Sequence, residues 1–322
     1  MKRAIGILIF AGTLGSIAAA RAADGGDAVL LKTLANPFWV AMNQGFEDGA
    51  KSLGIAYFSQ AAENDQAAEP QLNLCNNMLQ RDPNVLIVGA INATNLLPCL
   101  KSAQDKGIKV VDLDNNLDQS ILDKAGIKVA FHIGSDNIAA GEKGAEWLVS
   151  KLGKDAKGPV LIIEGLPGAP ASQNRVKGFG DRLTQIAPGL KIIASLPGDW
   201  DGGKAANVTA DNLTSHSDLV AIFCANDTMA LGAVESVRAA GKGDQVLTIG
   251  VDGTTDAVKS IKAGRLSASV AQLPYLEAQV TLSEAKKLLE GQSVPASIPV
   301  DTLVLTKDVI EANKDPNLKY VK

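Results

Sequence analysis

The stretch AVLLKTLANPFW, residues 28–39, decides the fold. Val29, Leu30 and Leu31 form a short apolar run, Lys32 to Asn36 a polar turn, and Phe38 and Trp39 open a helical pattern that continues to Leu53. A strand that hands over to a helix is the unit of an α/β sheet, and in open sheets of that class ligands sit outside the carboxyl ends of the strands. A lysine, an amide and two aromatics at that place suit a small polar ligand with one apolar face, such as a sugar ring. Taken alone, Phe38 and Trp39 fit equally well as core residues at the start of a helix.

Outward from this unit the same alternation repeats. Strand-like runs cover Ala28–Leu34, Ile55–Ser59, Val85–Val88, Lys109–Leu113, Val129–Ile133, Pro159–Glu164, Ile192–Ser195, Leu219–Cys224, Val246–Gly250 and Leu266–Val270. Helical periodicity fills most intervals, for example Trp39–Leu53, Pro70–Gln80, Leu96–Lys106, Ala140–Leu152, Arg175–Ile186, Met229–Ala240 and Ala278–Leu289. This is an α/β pattern with parallel sheets and helices on both faces. One sheet of about ten strands would be unusual, so two doubly wound sheets of five or six strands are expected. No Pro/Gly/Ser linker divides the chain. Gly134–Asn137 reads as a crossover into a capped helix, Gln272-Leu273-Pro274 as a second, and Val294–Val300 as the place of a third. Three crossings make a hinge with a ligand cleft between lobes. The expected division is 23–135 plus 273–303 for the amino-terminal lobe, and 136–272 plus 304–322 for the carboxyl-terminal lobe.

The chain of 322 residues begins like an export signal. Lys2 and Arg3 precede a small, apolar run from Ala4 to Ala20, and Ala20-Arg21-Ala22 gives an A-x-A cleavage pattern. That run is short and too rich in Gly and Ala to read as a membrane span. Cleavage after Ala22 leaves 23–322 and takes the formal charge from −4 to −7. No cysteine follows the cleavage point to accept a lipid, so the mature protein is expected free in the periplasm. The remaining length suffices for two lobes, and the acidic balance argues against nucleic acid or anionic membrane as partner. Cys75 and Cys99 fall on the second and third predicted helices, where a bridge and a pair of buried thiols are both open readings; Cys224, in a buried strand, is expected unpaired.

Polar residues recur just past the predicted strand ends: Lys32 and Asn36, Asp114-Asn115-Asn116, Glu164, Asn226-Asp227, Asp252-Gly253 and Gln272. One such residue is ordinarily a helix cap; a ring of them fits a shared cleft, which Arg175 and Trp200 would join. Sugar hydroxyls both donate and accept, so carboxylates, amides and an arginine can satisfy them, while aromatic faces cover the C–H faces of a ring. Other chemistries lack residues. His132 and His216 are the only histidines, too few for a His-based metal site or triad. Asp112-x-Asp114-x-Asn116 starts like a calcium loop but has Leu117 where glycine is required. Gly178-Phe179-Gly180 lacks the third glycine of a dinucleotide fingerprint, no P-loop lysine motif occurs, and no cofactor is expected.

The set becomes specific in LKTLANPFWV (31–40), HIGSDN (132–137), IIEG (162–165), PGDWD (197–201), CANDTMAL (224–231), GVDG (250–253) and AQLP (271–274). With these the chain resembles the periplasmic sugar-binding proteins of the ribose, allose and galactose type, whose fold is the type I periplasmic binding fold. The resemblance implies that Asn36 and Asp114 bind sugar hydroxyls from the first lobe. It implies aromatic walls from Phe38 and Trp39 on one side and Trp200 on the other, an arginine ligand at Arg175, and second-lobe or hinge ligands at Asn226, Asp252 and Gln272. Lys32 matches the allose-type branch. Asn115 departs from the ribose-type pattern, which has arginine there, and this turns the expectation toward a larger or differently substituted sugar or polyol.

Lys32 and Arg175 against Asp114 and Asp252 give a balanced pocket, suited to a neutral ligand. Glu164, if it faced the cleft, would tip the balance toward an amino sugar or inositol derivative. The implied role is that of a monomeric receptor delivering a sugar to an ABC permease and its ATPase, with presentation to a chemoreceptor as a compatible role. An exported sugar-acting enzyme would need a raised-pKa acid, whereas Asp114 and Asp252 are expected to stay ionised beside arginine or amide neighbours. A sugar-responsive repressor would carry a DNA-reading domain where this chain has its export signal.

Overall fold

The computed structural model describes residues 25–114 and 117–321. The export signal, Asn115 and Asn116 lie outside the described residues. In chain order the elements are β1 (Asp27–Thr33), α1 (Pro37–Leu53), β2 (Tyr57–Ala62), α2 (Ala68–Met78), β3 (Val85–Val88), α3 (Leu97–Asp105), β4 (Lys109–Leu113), α4 (Gln119–Ala125) and β5 (Phe131–Ser135). They continue with α5 (Asn137–Leu152), β6 (Gly158–Glu164), α6 (Pro170–Ile186), β7 (Leu190–Pro197), α7 (Gly202–Ser215), β8 (Ala221–Cys224), α8 (Asp227–Ala239), β9 (Leu247–Asp252), α9 (Thr255–Lys262) and β10 (Ala268–Ala271). The last are α10 (Pro274–Leu289), β11 (Ser297–Val300), β12 (Leu303–Leu305) and α11 (Lys307–Ala312).

The strands form two six-stranded sheets, ordered β11-β5-β4-β3-β1-β2 and β12-β10-β9-β8-β6-β7. The order is the same in both, with β1 to β5 of the first answered by β6 to β10 of the second. Pairing is parallel throughout except between β10 and β12. Central strands are covered on both faces, so β1 is buried along its whole length. Its side chains alternate between two cores. Val29 and Leu31 pack with Met42 and Phe46 of α1 and Leu282 of α10, while Ala28 and Leu30 pack with Cys75 of α2 and Cys99 of α3. Gly45 lets α1 approach α10 closely, because a Cβ there would come within 2.4 Å of the Tyr275 carbonyl oxygen.

The chain leaves the first sheet after Ser135, returns after Ala271 and leaves again after Val300. The third passage comes later than the 294–300 segment that the sequence suggests, because residues 297–300 form β11. Pro299 hides this strand from a periodicity reading; β11 lies at the sheet edge, where proline is tolerated. At the second passage Leu273 adopts a left-handed φ of 60° just before Pro274 opens α10.

Cys75 and Cys99 are joined in a disulfide that ties α2 to α3, and Cys224 is a buried free thiol in β8. A cross-link over 24 residues of chain restricts the unfolded state by about 3 kcal/mol in the loop-entropy account. Replacing both cysteines by serine is therefore expected to lower the unfolding free energy by that order in a urea titration. An unchanged midpoint would mean that the bridge adds nothing to stability.

Candidate functional site

The carboxyl ends of β1 and β4 in the first sheet face those of β6, β8 and β9 in the second across a cavity. Lys32, Asn36, Phe38, Trp39, Asp65 and Asp114 line it from the first sheet's side. Ala171, Arg175, Trp200, Asn226 and Asp252 line it from the other. Nine of the eleven residues predicted from the sequence thus come together in one cavity. Gln272 stands behind the wall and donates through Nε2 to Asp252 Oδ1 at 2.8 Å. Asn115 lies outside the described residues. Glu164 is turned elsewhere, its carboxylate accepting from the Ser195 hydroxyl of β7.

Each indole rests on a glycine. A Cβ on Gly89, just after β3, would come within 2.7 Å of the Trp39 ring, and one on Gly165, just after β6, within 2.2 Å of the Trp200 ring. Trp200 is presented by a strained turn in which it and Asp199 both have left-handed φ, 63° and 55°. Phe38 and Trp39 meet edge to face, with centroids 5.2 Å apart. The Lys32 ammonium and the Arg175 guanidinium lie 5.6 Å and 5.8 Å from the Trp39 and Trp200 rings.

The two asparagines cap helices, and the caps fix their amides. Asn36 Oδ1 accepts from Phe38 N–H at 3.0 Å, and Asn226 Oδ1 accepts from Met229 N–H at 2.9 Å. With the oxygens committed, each amide has its Nδ2 as donor, and the Asn36 side chain also hydrogen-bonds Asp65. Among the described residues Asn226 Nδ2 is buried without a hydrogen-bond partner, and so is Gln272 Oε1. Buried polar atoms of this kind are costly unless something in the cleft satisfies them.

Arg175, in α6, is 4 % exposed. Its Nε donates to Asn137 Oδ1 at 2.7 Å, and its Nη1 donates to the Ala225 carbonyl at 2.7 Å and to Asp252 Oδ1 at 3.2 Å. Asp114 and Asp252 occupy equivalent places after the fourth strand of each sheet, both with positive φ, 63° and 128°. The Asp114 N–H donates to the Ile133 carbonyl and to Glu277 Oε1.

Burial dominates the electrostatics. It pushes Lys32 below the ordinary ammonium range, against the pull of Asp114 and Asp65. Asp252 is pushed up to about 8: burial is the largest cause, and Asp227 and Asp114 add to it against the pull of Arg175. This corrects the expectation that an arginine neighbour keeps Asp252 ionised. Sequence shows the neighbour but not the loss of water.

Asp65 and Ala171 line the cavity without having been foreseen. Asp65 follows β2, hydrogen-bonds the Asn36 side chain and is raised by burial. The strand-end rule would have found it had β2 been placed at Tyr57–Ala62; the half-exposed edge strand, with Ser59 and Gln60 in its middle, reads as ending at Ser59. Ala171 carries no chemical signal. Among the described residues no helix is long and apolar enough to cross a membrane.

The same architecture is found in known proteins. The chain is 36% identical over 286 residues to the D-allose-binding periplasmic protein of Escherichia coli, covering 87% of this chain and 91% of that one. It is 36% identical to the ribose import binding protein RbsB of Haemophilus influenzae, again over 87% of this chain and 91% of the relative. A crystal structure of an ABC transporter periplasmic solute-binding protein from Actinobacillus succinogenes with bound D-allose superposes with a TM-score of 0.83 at 34% identity, covering 88% of this chain and 97% of that one. Residues 27–293 match the family described as periplasmic binding protein domain, and the chain belongs to that family.

Proposed function

We propose that the protein is a periplasmic solute receptor of an ABC importer, not an enzyme, and that it binds a monosaccharide of the allose type between its two lobes. It acts as a monomer, exported by cleavage near Ala22, and its ligand-closed form is what the membrane permease recognises. The observation that carries the reading is the pairing of one glycine-seated indole from each lobe around a cavity ringed by fixed donors and acceptors. Asn36 Nδ2, Asn226 Nδ2, Lys32 and Arg175 offer donors; Asp114, Asp252 and Asp65 offer acceptors. A polyhydroxylated ring uses both kinds while its C–H faces meet the aromatics. D-allose is named for one relative and for the ligand of one solved neighbour, which supports an aldohexose. Glu164, bonded to Ser195, adds no charge to the cavity wall, which favours a neutral sugar over an amino sugar.

Because both lobes touch the ligand only when closed, binding selects the closed state by its differential contacts. Calorimetric titration of residues 23–322 against aldohexoses, aldopentoses, inositols and amino sugars tests the reading. Saturable one-to-one binding of D-allose or a related neutral sugar is expected, and binding confined to cationic sugars would overturn it. Trp200→Ala is expected to weaken that binding by about 2 kcal/mol through lost stacking and burial.

Gly165→Ala tests the seat rather than the wall. The added Cβ would clash with the Trp200 ring at 2.2 Å, so the indole must move and affinity should fall at least about tenfold. Retained affinity would show that Trp200 does not depend on Gly165.

Asp252 also sets a pH dependence. Its folded-state value of about 8 lies above the ordinary 3.8, so the folded state holds a proton that the unfolded chain has lost. Its contribution to stability is complete at acid pH and is lost as pH rises toward the folded value. Thermal melts of the ligand-free protein from pH 5 to about pH 9 should show this decline, and Asp252→Asn should flatten it. Parallel wild-type and variant profiles would remove Asp252 as the cause.

A further inference from the structure

Glu277, in the first turn of α10, is fully buried. It lies behind the cavity rather than in its wall. Its Oε1 accepts the Asp114 N–H at 2.9 Å, the same N–H that reaches the Ile133 carbonyl at 2.7 Å. Its Oε2 is buried without a hydrogen-bond partner among the described residues. A carboxylate anion held by one shared N–H, with its second oxygen unsolvated, would be strongly disfavoured.

The surroundings agree. β4 and the residue after it bring the carboxylates of Asp112 and Asp114 toward Glu277, and burial, with these two charges, raises it well above the ordinary range against the pull of the Asp114 N–H. Other charged groups nearby are already engaged. His132 of β5 bonds Asp112 through Nδ1 at 2.8 Å, and Lys32 of β1 is drawn to Asp114 and Asp112. On the α1 side, Asp48 accepts from the Tyr275 hydroxyl at the exposed rim, and Tyr275 stacks with Tyr320 of the carboxyl-terminal segment. Gly45 meets α10 with backbone alone.

We propose that Glu277 is a positioning residue for Asp114: as a neutral acid it clamps the amide of a left-handed residue whose side chain faces the cleft, and loss of its proton would loosen that clamp and weaken ligand binding. The inference rests on the reading of Asp114 as a ligand-binding residue. A neutral carboxyl keeps a carbonyl oxygen as acceptor. An ionised one is the stronger acceptor for that amide but places a third negative charge beside Asp114 and Asp112, and the most direct relief of the repulsion is movement of the loop after β4.

The test compares wild type, Glu277→Gln, Glu277→Leu and Asp114→Asn. Glutamine keeps the acceptor and cannot ionise; leucine keeps the bulk and removes the acceptor. In the ligand-free protein, the amide resonance of Asp114 should move as pH is raised from about 5 to about 10 in wild type and stay still in Glu277→Gln. Groups that titrate in both proteins, Asp252, Asp65 and Lys32 among them, cancel in this comparison. With D-allose as probe, Glu277→Gln should bind within about threefold of wild type near pH 6 and lose less affinity in alkali, while Glu277→Leu should bind at least about tenfold more weakly. Coincident pH profiles for wild type and Glu277→Gln, or full affinity in Glu277→Leu, would overturn the proposal. Full affinity in Asp114→Asn would instead overturn the reading of the cavity. Should Glu277→Leu fail to fold, the resonance comparison in Glu277→Gln decides alone.

Discussion

The buried guanidinium of Arg175 is the group on which the cleft depends. It is held from three elements: Asn137 at the start of α5, the Ala225 carbonyl after β8, and Asp252 at the end of β9. A buried cation is tolerated only when its donors are matched, and removing one partner of such a set costs far more than the pair contributes. The network continues outward. Asp252 accepts from Gln272, and the Gln272 carbonyl accepts from the Ser135 hydroxyl at 3.2 Å. Ser135 and Gln272 stand at the first and second passages between the sheets. The chain of bonds therefore runs from the cavity wall into the hinge, through groups that leave little room for small adjustments. A ligand that alters the partners of Arg175 or Asp252 acts directly on a network that reaches two of the passages between the sheets.

Repetition of one strand order explains why the functional positions are matched. After the fourth strand of each sheet the chain turns through an aspartate with positive φ, Asp114 in one and Asp252 in the other. Such a backbone disfavours large side chains, and a short carboxylate tolerates it better than most. Glycines on opposite sides, Gly89 after β3 and Gly165 after β6, leave flat seats for an indole. The differences between the lobes then supply asymmetry. Lys32 comes from a strand end in the first, whereas Arg175 comes from within a helix in the second. A cleft built from two similar halves can thus read the two faces of an unsymmetrical ring differently.

How much of this was legible in the sequence follows from which physical signals are local. The alternation of apolar runs and helical periods exposed nearly every buried strand, because a strand covered on both faces must be apolar. It failed at the edges, where β2 mixes polar residues into a half-exposed strand and β11 contains Pro299. The misplaced end of β2 concealed Asp65. Strand-end position found Lys32, Asn36, Asp114, Asn226 and Asp252, since each lies at a strand end or within a few residues of one, whereas Arg175 and Trp200 needed the resemblance. Glu277 was out of reach: an acid in the first turn of a helix is ordinarily a solvated partner of the helix dipole, and only the tertiary placement of α10 beside the residue after β4 shows it buried.

Protonation state was the other illegible quantity, and it bears on the ligand. Counted as formal charges, the cavity wall holds Lys32 and Arg175 against Asp65, Asp114 and Asp252. That sum alone would invite a cation. Burial changes the sum, because the same loss of water that weakens Lys32 as an ammonium raises Asp65 and Asp252 as acids. With Lys32, Asp65 and Asp252 pushed toward neutrality, the wall has less charge to offer an ionic ligand, and a desolvated ion entering it would find weaker compensation. A neutral ring with many hydroxyls makes no such demand. Each hydroxyl can donate to a carboxyl or accept from an asparagine Nδ2, and the site keeps its discrimination in geometry rather than in net charge.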